Sequence, residues 1–262
     1  MKLYKIINQV LGITVFGDVK NPCWDLFEIH HDQSTDFTIS PICSDIVNRD
    51  IQFTSILPSS KLMFSGSSVL CTDEGYRHAF IYQGDTPSAW EIFAAYLFYT
   101  HAIRHQILWI HSATIEVSGC GILFLGPSGV GKTTQAERWA QFRGASIING
   151  DVGFVQRTPE GFLAWGTPWH GSSPYCLNTS VPLKALVVLK QAPYNALREL
   201  TGFEKLKEIS NNVFYPTWLE DGMELGVETL NHLLTELPVY RLDNRADLEA
   251  VELLERELNR IS

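Results

Sequence analysis

Hydrophobic and polar positions change their rhythm partway along this chain. Up to about residue 85, short apolar runs recur between turn signals, which predicts strands at Leu3–Ile7, Ile13–Phe16, Asp36–Ser40 and Ile51–Ile56. Ser68–Thr72 and Arg77–Tyr82 flank Asp73-Glu74-Gly75, and this predicts a hairpin. Thr86-Pro87-Ser88 reads as a helix start, because proline suits the first helical turn, and the helix should run to about Arg104. Its apolar stretch, Ala89–Tyr99, contains Glu91 and is too short to span a bilayer, so it reads as a buried helix.

Beyond residue 105 the pattern is that of alternating strands and helices. Ala113–Val117 alternates, Ser118-Gly119 makes a turn, and Gly121–Leu125 is a continuous apolar run, as expected of a strand covered on both faces. Lys132–Phe142 has helical character. Ser146–Ile148, Val152–Val155, Phe162–Trp165, Ala185–Leu189 and Val239–Leu242 read as strands. Residues 195–235 read as helical and loopy, with Pro216 as a breaker, and Ala246–Asn259 reads as a charged amphipathic helix. There is no internal repeat and no low-complexity segment. The expectation is a strand-rich part over residues 1–105, ending in a buried helix, and an α/β part over 106–262.

Composition narrows the function classes. With 262 residues, 45% hydrophobic and 19% charged, the chain has ample material for a buried core and is no disordered polypeptide. A formal net charge of -9 makes the chain a poor candidate for nonspecific binding to nucleic acid or to an anionic membrane, though net charge says nothing about one pocket. Five cysteines, at 23, 43, 71, 120 and 176, are far apart and show no CxxC spacing. They argue against a zinc site and a disulfide framework and fit a reducing compartment. The first dozen residues have no signal-peptide apolar core. The expected location is cytoplasmic.

Gly126-Pro127-Ser128-Gly129-Val130-Gly131-Lys132-Thr133 fits the phosphate-loop pattern GxxxxGK[ST], and Thr134 follows it. Phosphate oxygens need several backbone N–H donors converging on one point, so the chain must curl tightly, and glycines permit it. The helix that follows turns its free N–H groups and positive dipole end toward the phosphates. Lys132 would reach the β- and γ-phosphates, and the Thr133 hydroxyl would ligate magnesium. A buried strand before the motif and a helix-forming segment after it are the flanks this chemistry requires. The ligands this motif implies are a nucleotide and Mg2+.

Many such proteins place an acid at the end of a later apolar strand, but Ala185–Leu189 ends in Lys190 and Gln191. The nearest acid is Asp151, directly after Ser146-Ile147-Ile148-Asn149-Gly150. Asn-Gly-Asp is also good turn chemistry, so Asp151 reads either as a cap or as the acid of the site. His111, just before the alternating strand, reads either as a hydrogen-bonded structural histidine or as a catalyst. His170 lies between Trp169 and Gly171 in a turn-rich segment, shaped around a ligand or simply packed.

Ile110-His111-Ser112-Ala113, the strand and loop over 121–134, and Ile148-Asn149-Gly150-Asp151 together resemble the kinase domain of HPr kinase/phosphorylase. That family is related to phosphoenolpyruvate carboxykinase and includes small serine kinases acting on lasso-peptide precursors. Gly166-Thr167-Pro168-Trp169-His170-Gly171 resembles a loop of its small members. The resemblance covers about residues 105–190. It implies an α/β phosphate-loop kinase core, with a smaller strand-rich amino-terminal part, that moves a phosphoryl group to a serine hydroxyl. It matches His111, Lys132 and Thr133 to family positions and makes Asp151 a catalytic and metal-side acid. The family has two adjacent acids there, and this chain has Gly150 in place of the first.

The function expected is therefore ATP- and magnesium-dependent phosphorylation of a hydroxyl, a peptide or protein serine. The alternatives are a small-molecule kinase on the same core and a non-catalytic, ATP-binding partner protein. Homo-oligomerisation is left open.

Overall fold

The computed structural model describes residues 1–7, 11–17, 19, 21–30, 34–42, 60–85 and 88–261. The chain divides into two units, Met1–Ala102 and Ile103–Ser262. The expected strand Ile51–Ile56 lies outside the described residues.

In the first unit the alternating segments pair into one sheet. Its strands are β1 (Lys2–Ile6), β2 (Leu11–Val15), β3 (Glu28–Ile29), β4 (Phe37–Ile42), β5 (Lys61–Ser65), β6 (Ser68–Thr72) and β7 (His78–Tyr82). Among the described residues their order is β3-β1-β2-β4-β7-β6-β5. The β6–β7 hairpin closes because Asp73 Oδ1 accepts the Arg77 N–H at 2.7 Å and the His78 N–H at 3.3 Å. Helix α1 (Ala89–Ala102) is apolar around most of its circumference and lies against β2 and β7. At its end His101 stacks on Phe37 at 4.9 Å and its Nε2 lies 3.0 Å from the Tyr76 carbonyl.

The second unit is built on one long strand, β8 (Ile107–Val117). Its first half pairs with β11 (Val152–Thr158) and with β15 (Val213–Phe214). Its second half pairs with β9 (Cys120–Leu125) and with β10 (Ser146–Asn149). The sequence places the strand's start at Ala113, so His111 lies inside the strand rather than before it. Next to β9 runs β13 (Ser180–Gln191), parallel to it, and then β16 (Val239–Asn244), parallel to β13. β12 (Gly161–Trp165) pairs antiparallel with β11 and with the start of β13. The molecule is thus a mixed α/β protein with two sheets.

Gly121–Leu125 is hydrogen-bonded on both sides, by β8 and by β13, and is buried throughout, as a continuous apolar run requires. Helices α2 (Lys132–Arg143) and α5 (Leu248–Leu258) cover one face of this sheet. Ala136 and Trp139 of α2, with Ala250, Val251 and Leu254 of α5, pack on Ile122, Phe124, Val187 and Leu242. Asp247 caps α5 by accepting the Ala250 N–H at 3.1 Å. Helices α3 (Phe203–Ser210) and α4 (Gly222–Glu236) complete the unit.

Two expectations are corrected. Ala196–Leu200, read as helical or loop, is strand β14, paired antiparallel with β16. Its Ala-Leu-Arg-Glu-Leu sequence favours helix, but the open edge of β16 offers a complete row of backbone partners, and that tertiary gain outweighs the weak local preference. Cys23 and Cys176 are each disulfide-bonded, against the expectation of no disulfide framework. Cys71 and Cys120 are free thiols. Among the described residues no helix is long and apolar enough to cross a membrane.

Burial at the β9 centre sets a first expected outcome. Phe124 is 0% exposed and Phe203 is 77% exposed. Phe124→Ala should cost about 3–5 kcal/mol in urea unfolding, whereas Phe203→Ala should stay within about 0.5 kcal/mol of the parent.

Candidate functional site

β9 delivers the chain to the glycine loop at the edge of the core. Leu125 is buried, while Pro127, Ser128 and Gly129 are exposed at the loop tip. Gly126, Gly129 and Gly131 have φ of 133°, 78° and 107°, values that a side chain would oppose. The Val130 N–H donates to the Pro127 carbonyl at 3.2 Å and closes the turn. Among the described residues the backbone N–H groups of Gly131, Lys132 and Thr133 have no acceptor, as expected of the first turn of α2.

Two side chains from outside the motif fix this loop. Gln191, at the end of β13, donates from Nε2 to the Gly129 carbonyl at 3.2 Å and the Val130 carbonyl at 3.4 Å. Asn212 accepts the Gly126 N–H on Oδ1 at 3.1 Å, and its own carbonyl accepts the His111 N–H at 2.8 Å. One residue therefore sets the loop's start and the histidine strand in register. The sequence reading passed over both. Asn212 carries no local signal, because its partners lie 86 residues away in one case and on β8 in the other.

Lys132 is 6% exposed, so its ammonium needs partners. It donates to the Gly126 carbonyl at 3.0 Å and the Pro127 carbonyl at 3.4 Å, and its Nζ lies 2.8 Å from His111 Nε2. An ammonium has only donors, so His111 Nε2 is the acceptor and its proton sits on Nδ1. That Nδ1 lies 3.4 Å from Asp151 Oδ1. The structure thus brings Lys132, His111 and Asp151 into one chain of contacts. Burial lowers the His111 pKa below its ordinary 6.5, Lys132 lowers it further, and Asp151 opposes both. Burial likewise lowers the Lys132 pKa from 10.5, against the pull of Asp151.

Asp151 is positioned by its neighbours in sequence and by the loop over 166–173. Val152 pairs with His111 in the β11–β8 register, which sets the acid beside the histidine. Asn149, fully buried, accepts the Asp151 N–H at 3.1 Å and the Val152 N–H at 2.9 Å on Oδ1. Its Nδ2 donates to the Trp169 carbonyl at 2.7 Å and the Thr167 carbonyl at 3.4 Å. Asn149 therefore ties the acid to the segment that carries His170. Thr133 Oγ1 donates to the Gly150 carbonyl at 3.2 Å, which joins the loop helix to the same turn. Thr134 is exposed on α2 and takes no part in this chain of contacts.

Gly150 and Gly171 are both required by close approach. A Cβ at 150 would lie 2.5 Å from Ser173 Cβ and overlap its Oγ. A Cβ at 171, where φ is +60°, would lie 2.8 Å from Asp151 Cγ. The space next to Asp151 that a side chain at position 150 would need is filled by Ser173.

The loop fits a phosphate chain, because the unpaired N–H groups of Gly131, Lys132 and Thr133 and the Lys132 ammonium lie at one helix start. Among the described residues no three His, Cys, Asp or Glu side chains gather to hold a metal by themselves. A magnesium ion takes one or two protein oxygens and fills its octahedron with phosphate oxygens and water. Thr133 and Asp151 are the residues that would contribute.

No family model matches the chain, and no curated protein matches it. Among solved structures it is similar to the Hpr(Ser) kinase/phosphatase from Coxiella burnetii, with 13% sequence identity and a TM-score of 0.32. The match covers 58% of this chain and 93% of that one.

Two outcomes follow from the geometry. Gly150→Ala should destabilise the chain by about 1–3 kcal/mol, and Ser173→Gly in the same chain should restore most of it in a denaturant double-mutant cycle. For His111, the unfolded chain takes up a proton at the ordinary 6.5, before the folded chain does. Its contribution to stability is therefore complete above 6.5 and is lost as pH falls below it. Urea unfolding across this range should show a smaller acid-side decline in His111→Gln than in the parent.

Proposed function

We propose that the second unit is a magnesium- and ATP-dependent phosphotransferase acting on a hydroxyl, the serine of a peptide or protein. The observation that carries this reading is the contact chain Lys132–His111–Asp151, which starts at the glycine loop and ends at an acid. A structural lysine would need no such acid beyond it.

In this reading the N–H groups of Gly131, Lys132 and Thr133 hold the phosphates, as the loop's dihedrals allow. The ammonium of Lys132 now rests on two loop carbonyls and His111, and it exchanges those partners for phosphate oxygens. Its charge then counters that of the departing γ-phosphoryl group. Magnesium, when bound, neutralises charge on the β- and γ-phosphate oxygens. Asp151 supplies negative charge on the metal side and orients the acceptor. His111 stays neutral, because burial and Lys132 both lower its pKa, and it relays position between Lys132 and Asp151.

A second reading has its own observation. The resemblance implies an acid where this chain has Gly150, and Ser173 occupies the space a side chain there would need, which suits a protein that binds nucleotide without turnover. A small-molecule acceptor on the same core would leave both observations unchanged.

Lys132→Ala should weaken Mg-ATP binding at least about tenfold, a loss of roughly 1.4 kcal/mol, in titration calorimetry. Equal affinity would defeat the phosphate-loop assignment. Asp151→Asn should keep most of the ATP affinity and slow γ-phosphoryl release or transfer by about 10²–10³-fold. Tight ATP binding by a parent that turns over neither water nor any offered serine peptide or metabolite would favour the non-catalytic reading.

A further inference from the structure

The glycine loop borders a cavity of about 490 Å³ that the contact chain Lys132–His111–Asp151 does not use. Its walls are the start of the loop, one face of β13 and β16, and the end of α3. Val188, Lys190 and Arg241 alternate along their strands with Val187, Leu189, Tyr240 and Leu242 of the core under α2 and α5. They therefore stand on the opposite face of the sheet, and α3 closes the cavity from that side. The volume is in the range of small-ligand and side-chain pockets.

The groups that form these walls also hold the side chains of the site. Gly126 and Pro127 line the cavity, and their carbonyls accept the Lys132 ammonium at 3.0 Å and 3.4 Å. Asn212 lines it too, accepts the Gly126 N–H at 3.1 Å, and offers its carbonyl to the His111 N–H at 2.8 Å. Its Nδ2 donates to the Glu208 carbonyl at 3.0 Å, which ties the end of α3 to the loop and to the histidine strand. The cavity thus adjoins the end of the loop that Lys132 and His111 mark. Its two larger walls carry opposite charges, Lys190 on the sheet and Glu208 on the helix. The other charge of the lining, Arg241, is matched by Asp243 at 3.0 Å. Pro127, Val130 and Val188 supply apolar surface beside them. A neutral nucleoside offers nothing to either charge.

We infer that this cavity is the acceptor subsite of the second unit and seats a peptide segment whose serine is flanked by one acidic and one basic side chain. This rests on the phosphotransferase reading above, in which Lys132 marks the γ-phosphoryl end of the nucleotide. Lys190 takes the acidic side chain, Glu208 takes the basic one, and the apolar lining covers the backbone between them. One hydroxymethyl group fills little of 490 Å³, so the flanking residues enter the cavity with the serine. Opposite charges on the two walls also fix the direction of the segment, because a reversed segment would set like charges against each other. The serine is positioned through its neighbours, and the hydroxyl needs no dedicated pocket of its own.

The test uses the full chain with labelled Mg-ATP and short alanine-based peptides that hold one central serine and carry Asp, Lys or Ala at each flanking position. The best peptides should carry Asp on one side of the serine and Lys on the other. They should exceed their charge-reversed counterparts by about tenfold in kcat/KM. Lys190→Glu should turn the preference at the Asp position from Asp to Lys, and Glu208→Lys should turn the preference at the other position from Lys to Asp. An exchanged preference is a gain that misfolding cannot imitate, and both variants should bind Mg-ATP with parental affinity in calorimetry. A parent that phosphorylates these peptides without regard to flanking charge would overturn the subsite and leave the phosphotransferase reading standing. So would a Lys190→Glu variant with the parental preference. A parent that binds ATP yet transfers phosphate to none of the peptides would overturn the subsite together with the peptide-serine reading.

Discussion

The burial of one ammonium group organises the second unit. A lysine taken out of water must find acceptors for its N–H groups, or the charge makes the fold untenable. Lys132 finds them in the Gly126 and Pro127 carbonyls and in His111. The first two acceptors exist only because glycines let the loop turn its carbonyls inward. The third exists only because β8 brings a histidine to the end of β9. Occupation of His111 Nε2 by the lysine then forces the histidine's proton to Nδ1, on the side of Asp151. Loop, strand and acid are consequences of satisfying the same buried charge.

Around that charge the structure spends amide side chains rather than carboxylates. Asn149, Asn212 and Gln191 each join segments that are distant in sequence or in different elements. An amide can donate and accept at once, so one residue can fix two chain segments without adding charge near the lysine. Additional buried carboxylates here would need cations of their own. Ser173, also uncharged, fills the space beside Gly150 that a side chain there would need. The loop over 166–173 thereby becomes a wall of the site, and the half-buried His170 is part of that wall.

The glycine pattern, the strand that feeds it and the helix that leaves it were legible because each depends on local rules. Gly126, Gly129 and Gly131 show the positive φ that their residue type permits, and Gly121–Leu125 is buried on both faces as its unbroken apolar run requires. Asn149-Gly150-Asp151 was legible as turn chemistry, and its asparagine does bond to the next two N–H groups. Asn212 and Gln191 were not legible, since a lone amide has the same composition whether it clamps a loop or faces water. β14 was misread because Ala-Leu-Arg-Glu-Leu is locally helical, and only the free edge of β16 makes it a strand.

Sequence alone determined the conformations that sterics and periodicity control: where the chain curls, where a run must be buried, and where a helix starts. Tertiary structure decided which of those pieces meet. The 3.4 Å approach of His111 to Asp151 and the 2.8 Å approach of Lys132 to His111 depend on strand register. Register is set by pairing between segments distant in sequence, such as Val152 with His111, 41 residues apart. A one-residue slip in that pairing would send the histidine to the opposite face with no change in local composition. The identity of the turn residues fixes that a bend occurs at Gly150, but only the packing of Ser173 against it and of Gly171 against Asp151 decides that neither glycine can carry a side chain.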